Sequence, residues 1–370
     1  MRKLLRMLTR AAVLWESGAS LSVEEVELAE PRAGEVRVRI AAAGVCRSDL
    51  HVMDGVWTYD LPMVLGHEGS GIVDAVGPGV LAPRVGDAVA LSWVTQCGRC
   101  RACASGSPAL CEIGSHLHRM PDGSSRLRAR GQDLGHFMAT ACFAEYVVVP
   151  ATQAVELPEG ADLEVAALIG CAAMTGVGAV FNTAAVRPGE RAVVFGCGGV
   201  GQCIVQGLRA AGAHPIVAVD VTEAALELAR ASGATDTVLA GSGDDRKAVR
   251  RATRGGADVA FEALGLPATI EAAYAALAGG GRAVIVGMPA RDATITINAF
   301  SLAGQGLSLV GSLYGSSRPH FDVPRLVELE AAGLLSLGSL IARRYPLADI
   351  NAAYDDLRAG APGRGVITFA

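Results

Sequence analysis

The chain has 370 residues, a formal net charge of −5 and 51% apolar residues. Its length favours two domains over a single core. Its acidic balance, with lysines only at Lys3 and Lys247, argues against nucleic acid as a partner. Nine cysteines are an odd number for a disulfide framework, and no uninterrupted apolar run has the length that a bilayer requires. We therefore expect a cytoplasmic α/β enzyme that does not bind membranes.

The first 150 residues alternate short β-type runs with turns rich in Gly, Pro and Asp, which predicts a mostly antiparallel, β-rich domain. The predicted strands are VEEVEL (23–28), EVRVRI (35–40), GSGIVDAV (69–76), DAVAL (87–91) and EYVVV (145–149).

From Arg191 onward, strand-like and helix-like segments alternate, which predicts a doubly wound parallel sheet. The predicted strands are RAVVFG, PIVAVD, TDTVL, DVAFEAL, RAVIVG and LSLVGSLYG (307–315), the last at the edge of the sheet. The helices between them include GGVGQCIVQGLRAAGA and TEAALELARASG. The remainder, with RLVELEAAGLL and GVITF, breaks the alternation and is expected to return to the first domain.

The segment GCGGVG, residues 196–201, fits the G-x-G-x-x-G pattern after a predicted strand and at the start of a predicted helix. Gly196 allows the tight turn, Gly198 lets the backbone approach a pyrophosphate, and Gly201 lets helix and sheet pack closely. The start of the helix offers N–H donors to the phosphates. The predicted cofactor-binding residues of this motif are Gly196, Gly198, Gly199, Val200 and Gly201.

Asp220 stands at the end of the next predicted strand. Its carboxylate is placed to accept hydrogen bonds from the adenine ribose and would repel a 2′-phosphate, which predicts NAD rather than NADP. The alternative is that Asp220 only caps the following helix.

Four cysteines, Cys97, Cys100, Cys103 and Cys111, follow C-x2-C-x2-C-x7-C. Four thiolates at this spacing can close a tetrahedral zinc site with no vacant position. The pattern by itself also fits a zinc ribbon or an iron–sulfur site. Zinc is favoured because iron–sulfur signatures have other spacings and a following proline.

A second set of candidate ligands is dispersed: Cys46 in GVCRSDLH, His67 in GHEGSG and Cys171 in IGCAAMTG. Two thiolates, an imidazole and a water would make an open catalytic zinc site. Spacing alone does not link these residues. Asp49 is a candidate acceptor for the second ring nitrogen of His67.

Taken in order, GVCRSDLH, GHEGSG, the four-cysteine loop, IGCAAMTGVGA, GCGGVG and LRAGAPGRGVITF resemble the zinc-dependent alcohol dehydrogenases of the medium-chain dehydrogenase/reductase superfamily. The resemblance covers the chain after its first ten residues, and residues 124–146 are similar to the long-chain branch (liver-type and actinobacterial NAD-dependent enzymes). It implies a GroES-like catalytic domain with both zinc sites (1–173), a Rossmann NAD-binding domain (174–313) and a return to the catalytic domain (314–370).

The resemblance also assigns roles to residues. It implies that Cys46, His67 and Cys171 bind a catalytic zinc and that the four cysteines bind a structural one, two zinc ions per chain. Catalytic roles fall to Ser48 and His51, as a proton relay, and to Glu68 beside the metal. Arg47 and Arg364 are similar to arginines that clamp the cofactor pyrophosphate. The implied substrate pocket comprises Trp57, Trp93, Phe137, Met138, Met288 and Leu313.

The function implied is hydride transfer between NAD(H) and a primary, hydrophobic or aromatic alcohol or aldehyde. One alternative keeps the nicotinamide tightly bound and acts as an alcohol–aldehyde dismutase or acceptor-dependent dehydrogenase. Another is a catalytically silent, zinc-stabilised binding protein. Ser115 and His116 stand where formaldehyde-oxidising relatives carry an arginine, which argues against a glutathione-adduct substrate. An exposed last strand predicts a homodimer, with a tetramer as the alternative.

Overall fold

The computed structural model describes residues 6–113, 118–241 and 243–369. The strands, in chain order, are β1 Arg6–Leu14, β2 Ser22–Ala29, β3 Glu35–Gly44, β4 Met63–Val64, β5 Gly69–Val76, β6 Ala88–Leu91, β7 Leu127–Ala129, β8 Gln132–Asp133, β9 Gly135–His136, β10 Tyr146–Pro150, β11 Ala154–Glu156, β12 Ala192–Phe195, β13 Ile216–Asp220, β14 Asp236–Leu239, β15 Ala257–Glu262, β16 Leu277–Ile285, β17 Ser308–Gly311, β18 Ile341–Pro346 and β19 Arg364–Thr368.

The α-helices are α1 Arg47–Met53, α2 Arg101–Ala104, α3 Leu163–Leu168, α4 Met174–Gly178, α5 Gly199–Ala210, α6 Glu223–Ser232, α7 Asp245–Ala252, α8 Pro267–Ala275, α9 Ala299–Gly304, α10 Pro319–Ala331 and α11 Ile350–Arg358. Single π-helical turns follow α3 (Ile169–Ala173) and α4 (Ala179–Thr183).

The first of two compact units contains the described residues up to Cys171, with Arg318–Glu328 and those from Ile341 onward. It holds two sheets, ordered β8-β7-β2-β1-β4-β9 and β11-β6-β5-β3-β19-β18, and β10 pairs with the first half of β3, from Glu35 to Arg39. Pairing is antiparallel except between β4 and β9 and between β18 and β19. Inward residues alternate along β3, where Val36, Val38 and Ile40 are buried. The predicted β-rich fold of this part of the chain is confirmed.

The second unit contains Ala172–Ser317 and Leu329–Leu340. Its sheet has the order β14-β13-β12-β15-β16-β17, and every neighbouring pair is parallel. Side chains on both faces are buried: Val194 packs with Ile204 in one core, and Val193 packs with Val217 in the other. Apolar runs such as AVVF are therefore buried on both sides, as a covered parallel sheet requires. The predicted doubly wound Rossmann-like sheet is confirmed.

Two boundaries differ from the sequence-based expectation. The last strand of the parallel sheet ends at Gly311 rather than at Gly315, because Tyr314 and Gly315 adopt positive φ angles of 53° and 64°. Leu329–Leu340 packs with the second unit, where Gln206 exchanges hydrogen bonds with the Ser336 backbone at 2.8 and 3.1 Å.

One helical run, Leu163–Thr183, is long and apolar enough to cross a membrane by length and composition, although the sequence predicted no such segment. The structure buries 83% of its apolar window inside the protein, as expected for a core helix.

Candidate metal centres and dinucleotide site

Two dispersed candidate ligands meet because the strands beside them pair. β3 and β5 are antiparallel, with Ala43 opposite Gly69. Cys46 lies just after β3 and His67 lies just before β5, so pairing places both at the same end of the sheet. The two residues are twenty-one positions apart in sequence, and only the strand pairing brings them together.

Cys171 reaches this point from the π-helical turn Ile169–Ala173. Gly170 allows the approach, because a Cβ at this position would lie 2.6 Å from the carbonyl oxygen of Leu91 at the end of β6. Candidate ligand atoms of Cys46, His67, Glu68 and Cys171 all lie within 4.8 Å of one another. π-Helical turns are often found at functional sites, and this one carries a candidate ligand.

The side chains behind this cluster orient it. Asp49 Oδ2 lies 3.2 Å from His67 Nδ1, and Asp49 Oδ1 accepts the Gly66 N–H at 2.8 Å. With Nδ1 facing Asp49, Nε2 of His67 is left to bind a metal. Both Asp49 and His67 are buried, so their arrangement is set by packing rather than by solvent.

Glu68 and Arg364 form a buried ion pair in the same region, and Arg364 also donates to the Val45 carbonyl at 3.0 Å. Burial raises the pKa of Glu68 to about 7, although the Arg364 charge acts in the opposite sense. The second oxygen of Glu68 has no hydrogen-bond partner among the described residues. Because its guanidinium is paired with Glu68, the role of Arg364 at a pyrophosphate stays a prediction.

The donor set fits zinc. A hydrogen bond from the Cys171 thiol lowers the pKa of Cys46 well below its ordinary value, which favours the thiolate form that binds zinc. Two sulfurs and an imidazole nitrogen are ligands that zinc prefers, and three protein ligands leave a position for a substrate oxygen. The unpartnered oxygen of Glu68 is a further donor beside the metal position.

The other four cysteines also lie within 4.8 Å of one another. The sulfur atoms of Cys97 and Cys103 are 4.0 Å apart, as are those of Cys100 and Cys111. Two sulfurs bound to one tetrahedral zinc at ~2.3 Å lie ~3.8 Å apart, so this cluster has almost the size of a closed four-thiolate site.

Backbone N–H groups point at these sulfurs. The Cys100 N–H lies 3.3 Å from Cys97 Sγ, the Cys103 N–H lies 3.4 Å from Cys100 Sγ, and the Cys97 N–H lies 3.4 Å from Cys111 Sγ. The N–H groups of Arg99 and Cys100 lower the pKa of Cys97 to about 6. These N–H groups favour the thiolate form of Cys97, which is the form that binds zinc, whereas burial raises the pKa of Cys103 to about 12.

α1 carries the three candidates next to Cys46. Ser48 and His51 lie three residues apart on one face of the helix, and both are half-buried, whereas Arg47 is exposed. Burial and then the charge of Arg47 lower the pKa of His51, so its ring is neutral at pH 7. The ring of Trp57 packs beside His51, with centroids 5.1 Å apart.

The glycine motif of the second unit has the geometry of a phosphate loop. Gly196 has a φ of +89°, and a Cβ on Gly201 would lie 1.9 Å from the Gly196 carbonyl oxygen. A Cβ on Gly198 would meet nothing within 4 Å, because this residue is exposed at the start of α5. The N-terminal N–H groups of a twelve-residue helix therefore face an open surface.

Asp220 ends β13 and is engaged on both oxygens. Oδ2 accepts the Cys197 N–H at 2.8 Å, and Oδ1 accepts the backbone N–H of Thr222 at 3.0 Å. The carboxylate thus ties the glycine motif to the start of α6. Oδ1 also accepts the Thr222 hydroxyl at 3.1 Å. Oδ2, with one donor, retains a lone pair, so capping and ribose binding are compatible through this oxygen.

The carboxyl edge of this parallel sheet exposes apolar side chains, and among them only Met288 was predicted from the sequence to line a pocket. They end or follow successive strands and are roughly half or more exposed: Val221, Leu239, Leu264, Leu266 and Met288. Apolar residues exposed where parallel strands end are a feature of a ligand-binding crevice, and their place after each strand was the available sequence signal.

The predicted pocket residues divide between the units. Trp93, Phe137 and Met138 are buried in the first unit, where Phe137 packs edge-on against His67 with ring centroids 5.5 Å apart. Tyr59, which sequence analysis missed, packs edge-on against Phe137 at 5.7 Å. The two remaining pocket candidates, Met288 and Leu313, belong to the second unit, and Ser115 and His116 lie outside the described residues.

Two family models match the chain. Residues 32–159 match the alcohol dehydrogenase GroES-like domain, and residues 199–331 match the zinc-binding dehydrogenase family. We call the group of Cys46, His67, Glu68 and Cys171 the mixed cluster. The two matched ranges include all of its residues except Cys171, all four residues of the four-cysteine cluster and the start of α5.

Solved structures resemble the whole chain. An alcohol dehydrogenase zinc-binding domain protein from Burkholderia ambifaria is 37% identical, with a TM-score of 0.95, covering 99% of this chain and 100% of that one. Benzyl alcohol dehydrogenase from Acinetobacter calcoaceticus is 32% identical, with a TM-score of 0.94, covering 98% and 100%. A short chain alcohol dehydrogenase from E. coli CFT073, complexed with NADH, is 26% identical, with a TM-score of 0.83, covering 98% and 99%.

Proposed function

The chain belongs to the zinc-binding alcohol dehydrogenase family of the medium-chain dehydrogenase/reductase superfamily, and from this premise we propose that it is an NAD-dependent zinc alcohol dehydrogenase of the long-chain branch. The reaction is hydride transfer between NAD(H) and a primary alcohol or aldehyde with a hydrophobic or aromatic tail.

The observation that carries this proposal is the contrast between the two clusters. One consists of four thiols and closes on itself, which suits a structural ion. The other has two thiols and one imidazole, and its fourth candidate donor, Glu68, is paired with Arg364. The second cluster can therefore leave one coordination position to a substrate oxygen, as a catalytic zinc site requires.

A zinc ion held by Cys46, His67 and Cys171 would supply a Lewis acid for a substrate oxygen, and NAD would supply the hydride acceptor. The chain's own residues supply the remaining functions. Ser48 is placed beside Cys46 to take a proton from the substrate hydroxyl, and His51 lies one turn later on the same face of α1. A neutral imidazole at this place accepts a proton near pH 7. Asp49 holds His67 in a fixed orientation.

The substrate class is proposed from the aromatic side chains around the first unit's metal cluster. Phe137 contacts His67 directly, Tyr59 contacts Phe137, and Trp57 covers His51. Flat apolar surfaces favour a benzyl-type alcohol over ethanol, because aromatic rings prefer edge and offset-stacked contacts. Similarity to a benzyl alcohol dehydrogenase supports this proposal.

Metal content and a Cys46→Ser variant test the function. We expect about two zinc ions per purified chain and about one in Cys46→Ser, which should fold normally but lose at least a thousandfold of its benzyl alcohol oxidation. Cys203→Ser, which alters a buried thiol outside both clusters, is the matched control and should retain two ions and activity.

Two results would contradict an open catalytic site: a single zinc ion per wild-type chain, or normal turnover of benzyl alcohol by Cys46→Ser. NAD that copurifies and resists dialysis, together with aldehyde dismutation without added cofactor, favours the tightly bound nicotinamide alternative over free exchange.

A further inference from the structure

His51 and Trp57 belong to one closed segment of the first unit. α1 ends at Met53, and the chain turns through Asp54 and Gly55, whose φ of +72° is in the left-handed region. This turn returns the Trp57 backbone N–H to the His51 carbonyl oxygen at 3.0 Å. The backbone positions of the two residues are therefore coupled.

Their side chains are coupled as well. The ring centroids lie 5.1 Å apart and the planes are inclined by 40°, so the indole covers one side of the imidazole. Both residues are half-buried, and at this ring distance each ring covers part of the other's surface. Truncating Trp57 would expose the imidazole face that the indole now covers.

Some of the charges around His51 lower its pKa and others raise it. Burial disfavours the imidazolium and is the largest influence on the His51 pKa, and the charge of Arg47 one turn earlier lowers it further. Cys46 and Asp54 act in the opposite sense. Asp54 is itself paired with Arg358 of α11 at 2.8 Å, which reduces its effect on the ring. The net result is a lowered pKa, so water exclusion by neighbours such as Trp57 matters.

We propose that Trp57 is a positioning residue for His51: its indole fixes the orientation of the imidazole and keeps water from one face, so that the ring stays a neutral proton acceptor. This inference rests on the proposed function, in which His51 takes the substrate proton onward from Ser48. Trp57 then has two roles, because it also belongs to the predicted substrate pocket.

Imidazole titration by NMR tests the proposal without catalysis. The chain has seven histidines, so His51→Gln identifies the His51 resonance by its loss. In the full-length zinc-loaded protein, Trp57→Ala should raise the His51 titration midpoint towards 6.5, because an exposed imidazolium is better solvated. Trp57→Phe retains an aromatic cover and should keep the midpoint near that of the wild type.

A kinetic experiment separates positioning from simple pocket lining. With ethanol, which is too small to need an aromatic wall, Trp57→Ala should reduce kcat/KM more at pH 6 than at pH 8, because more of the His51 population is protonated at pH 6. Trp57→Phe should restore the wild-type profile. A residue that only lines the pocket would change KM for benzyl alcohol and leave the ethanol pH profile unaltered.

His51→Gln distinguishes a failure of the proton relay from a failure of the positioning role of Trp57. If His51→Gln removes the acidic limb of the ethanol profile while Trp57→Ala moves neither the limb nor the NMR midpoint, the role of Trp57 is overturned and the relay stands. If His51→Gln leaves that limb intact, the relay itself is wrong and the positioning role falls with it.

Discussion

At the scale of single residues, Asp220 shows how one carboxylate can join two parts of the candidate dinucleotide site. It holds the Cys197 N–H of the glycine motif and the Thr222 N–H before α6. Asp220 is the last residue of β13, and a ribose is expected at this strand end in this sheet topology. The Asp220 side chain therefore stabilises the turn around the glycine motif and also supplies the negative charge that is proposed to select NAD.

For Asp220→Gly we expect NAD binding to weaken roughly ten- to hundredfold, since hydrogen bonds to a charged acceptor contribute about 1.5–3 kcal/mol. NADP binding should improve, because the negative charge that repels a 2′-phosphate is gone. Fluorescence titration with NADH and NADPH measures both dissociation constants.

Asp220→Asn is the matched variant, because it removes the charge and retains an acceptor for the Cys197 N–H. It should gain NADPH affinity and lose less NADH affinity than the glycine variant. An unchanged preference in both variants would show that Asp220 only caps the turn.

At the scale of elements, the four-cysteine loop and the antiparallel pair β3–β5 have different structural roles. The loop closes locally, over fifteen residues, and its backbone N–H groups bind its own sulfurs. The strand pair gathers distant residues and sets the position of Cys46 against His67. A substitution in the loop is therefore expected to lower the stability of the fold more than the catalytic activity of the folded protein.

For Cys100→Ser we expect the loss of one zinc per chain and a melting temperature lowered by several degrees, because three thiolates and a hydroxyl bind zinc poorly. The zinc of the mixed cluster should remain, and the folded fraction should oxidise benzyl alcohol. Metal analysis and calorimetry on the same sample measure both effects.

Ser107→Ala serves as the control in the same loop, since its hydroxyl makes no side-chain cap to the following turn. It should keep two zinc ions and the wild-type melting temperature. A Cys100→Ser protein that melted normally yet had no activity would assign the chemistry to this loop instead.

At the scale of the whole molecule, the parallel sheet ends in an unpaired edge within the described chain. β17 pairs only with β16, and its Leu309 and Val310 are partly exposed. Phe300 of the preceding helix α9 is 86% exposed. An exposed apolar edge of this kind invites pairing with a second copy, so a homodimer remains our prediction for the assembly.

For Phe300→Lys we expect at least a tenfold weaker dimer, because a charge at the edge of the predicted contact must be desolvated on association. Sedimentation equilibrium measures the dissociation constant. Leu334→Lys replaces another exposed apolar residue of the second unit and should leave the dimer unchanged. A wild-type chain that sediments as a monomer contradicts the prediction.

The sequence by itself determined the features whose geometry is local. The spacing of Cys97 to Cys111 sets a closed sulfur cluster, and the structure brings these four sulfurs together. The glycines of 196–201 impose a tight turn before a helix wherever the segment is placed. The alternation of strand-like and helix-like segments predicted the parallel sheet, because strands that are buried on both faces appear as short continuous apolar runs between the helices that cover them.

Only the tertiary structure decided what depends on pairing between distant segments. Cys46, His67 and Cys171 were linked in the sequence through a family resemblance, whereas in the structure the β3–β5 register and a π-helical turn bring them together. The buried Glu68–Arg364 pair joins residues 296 positions apart. No local pattern specifies such contacts, because their free energy comes from strand pairing and burial that exist only once the chain has folded.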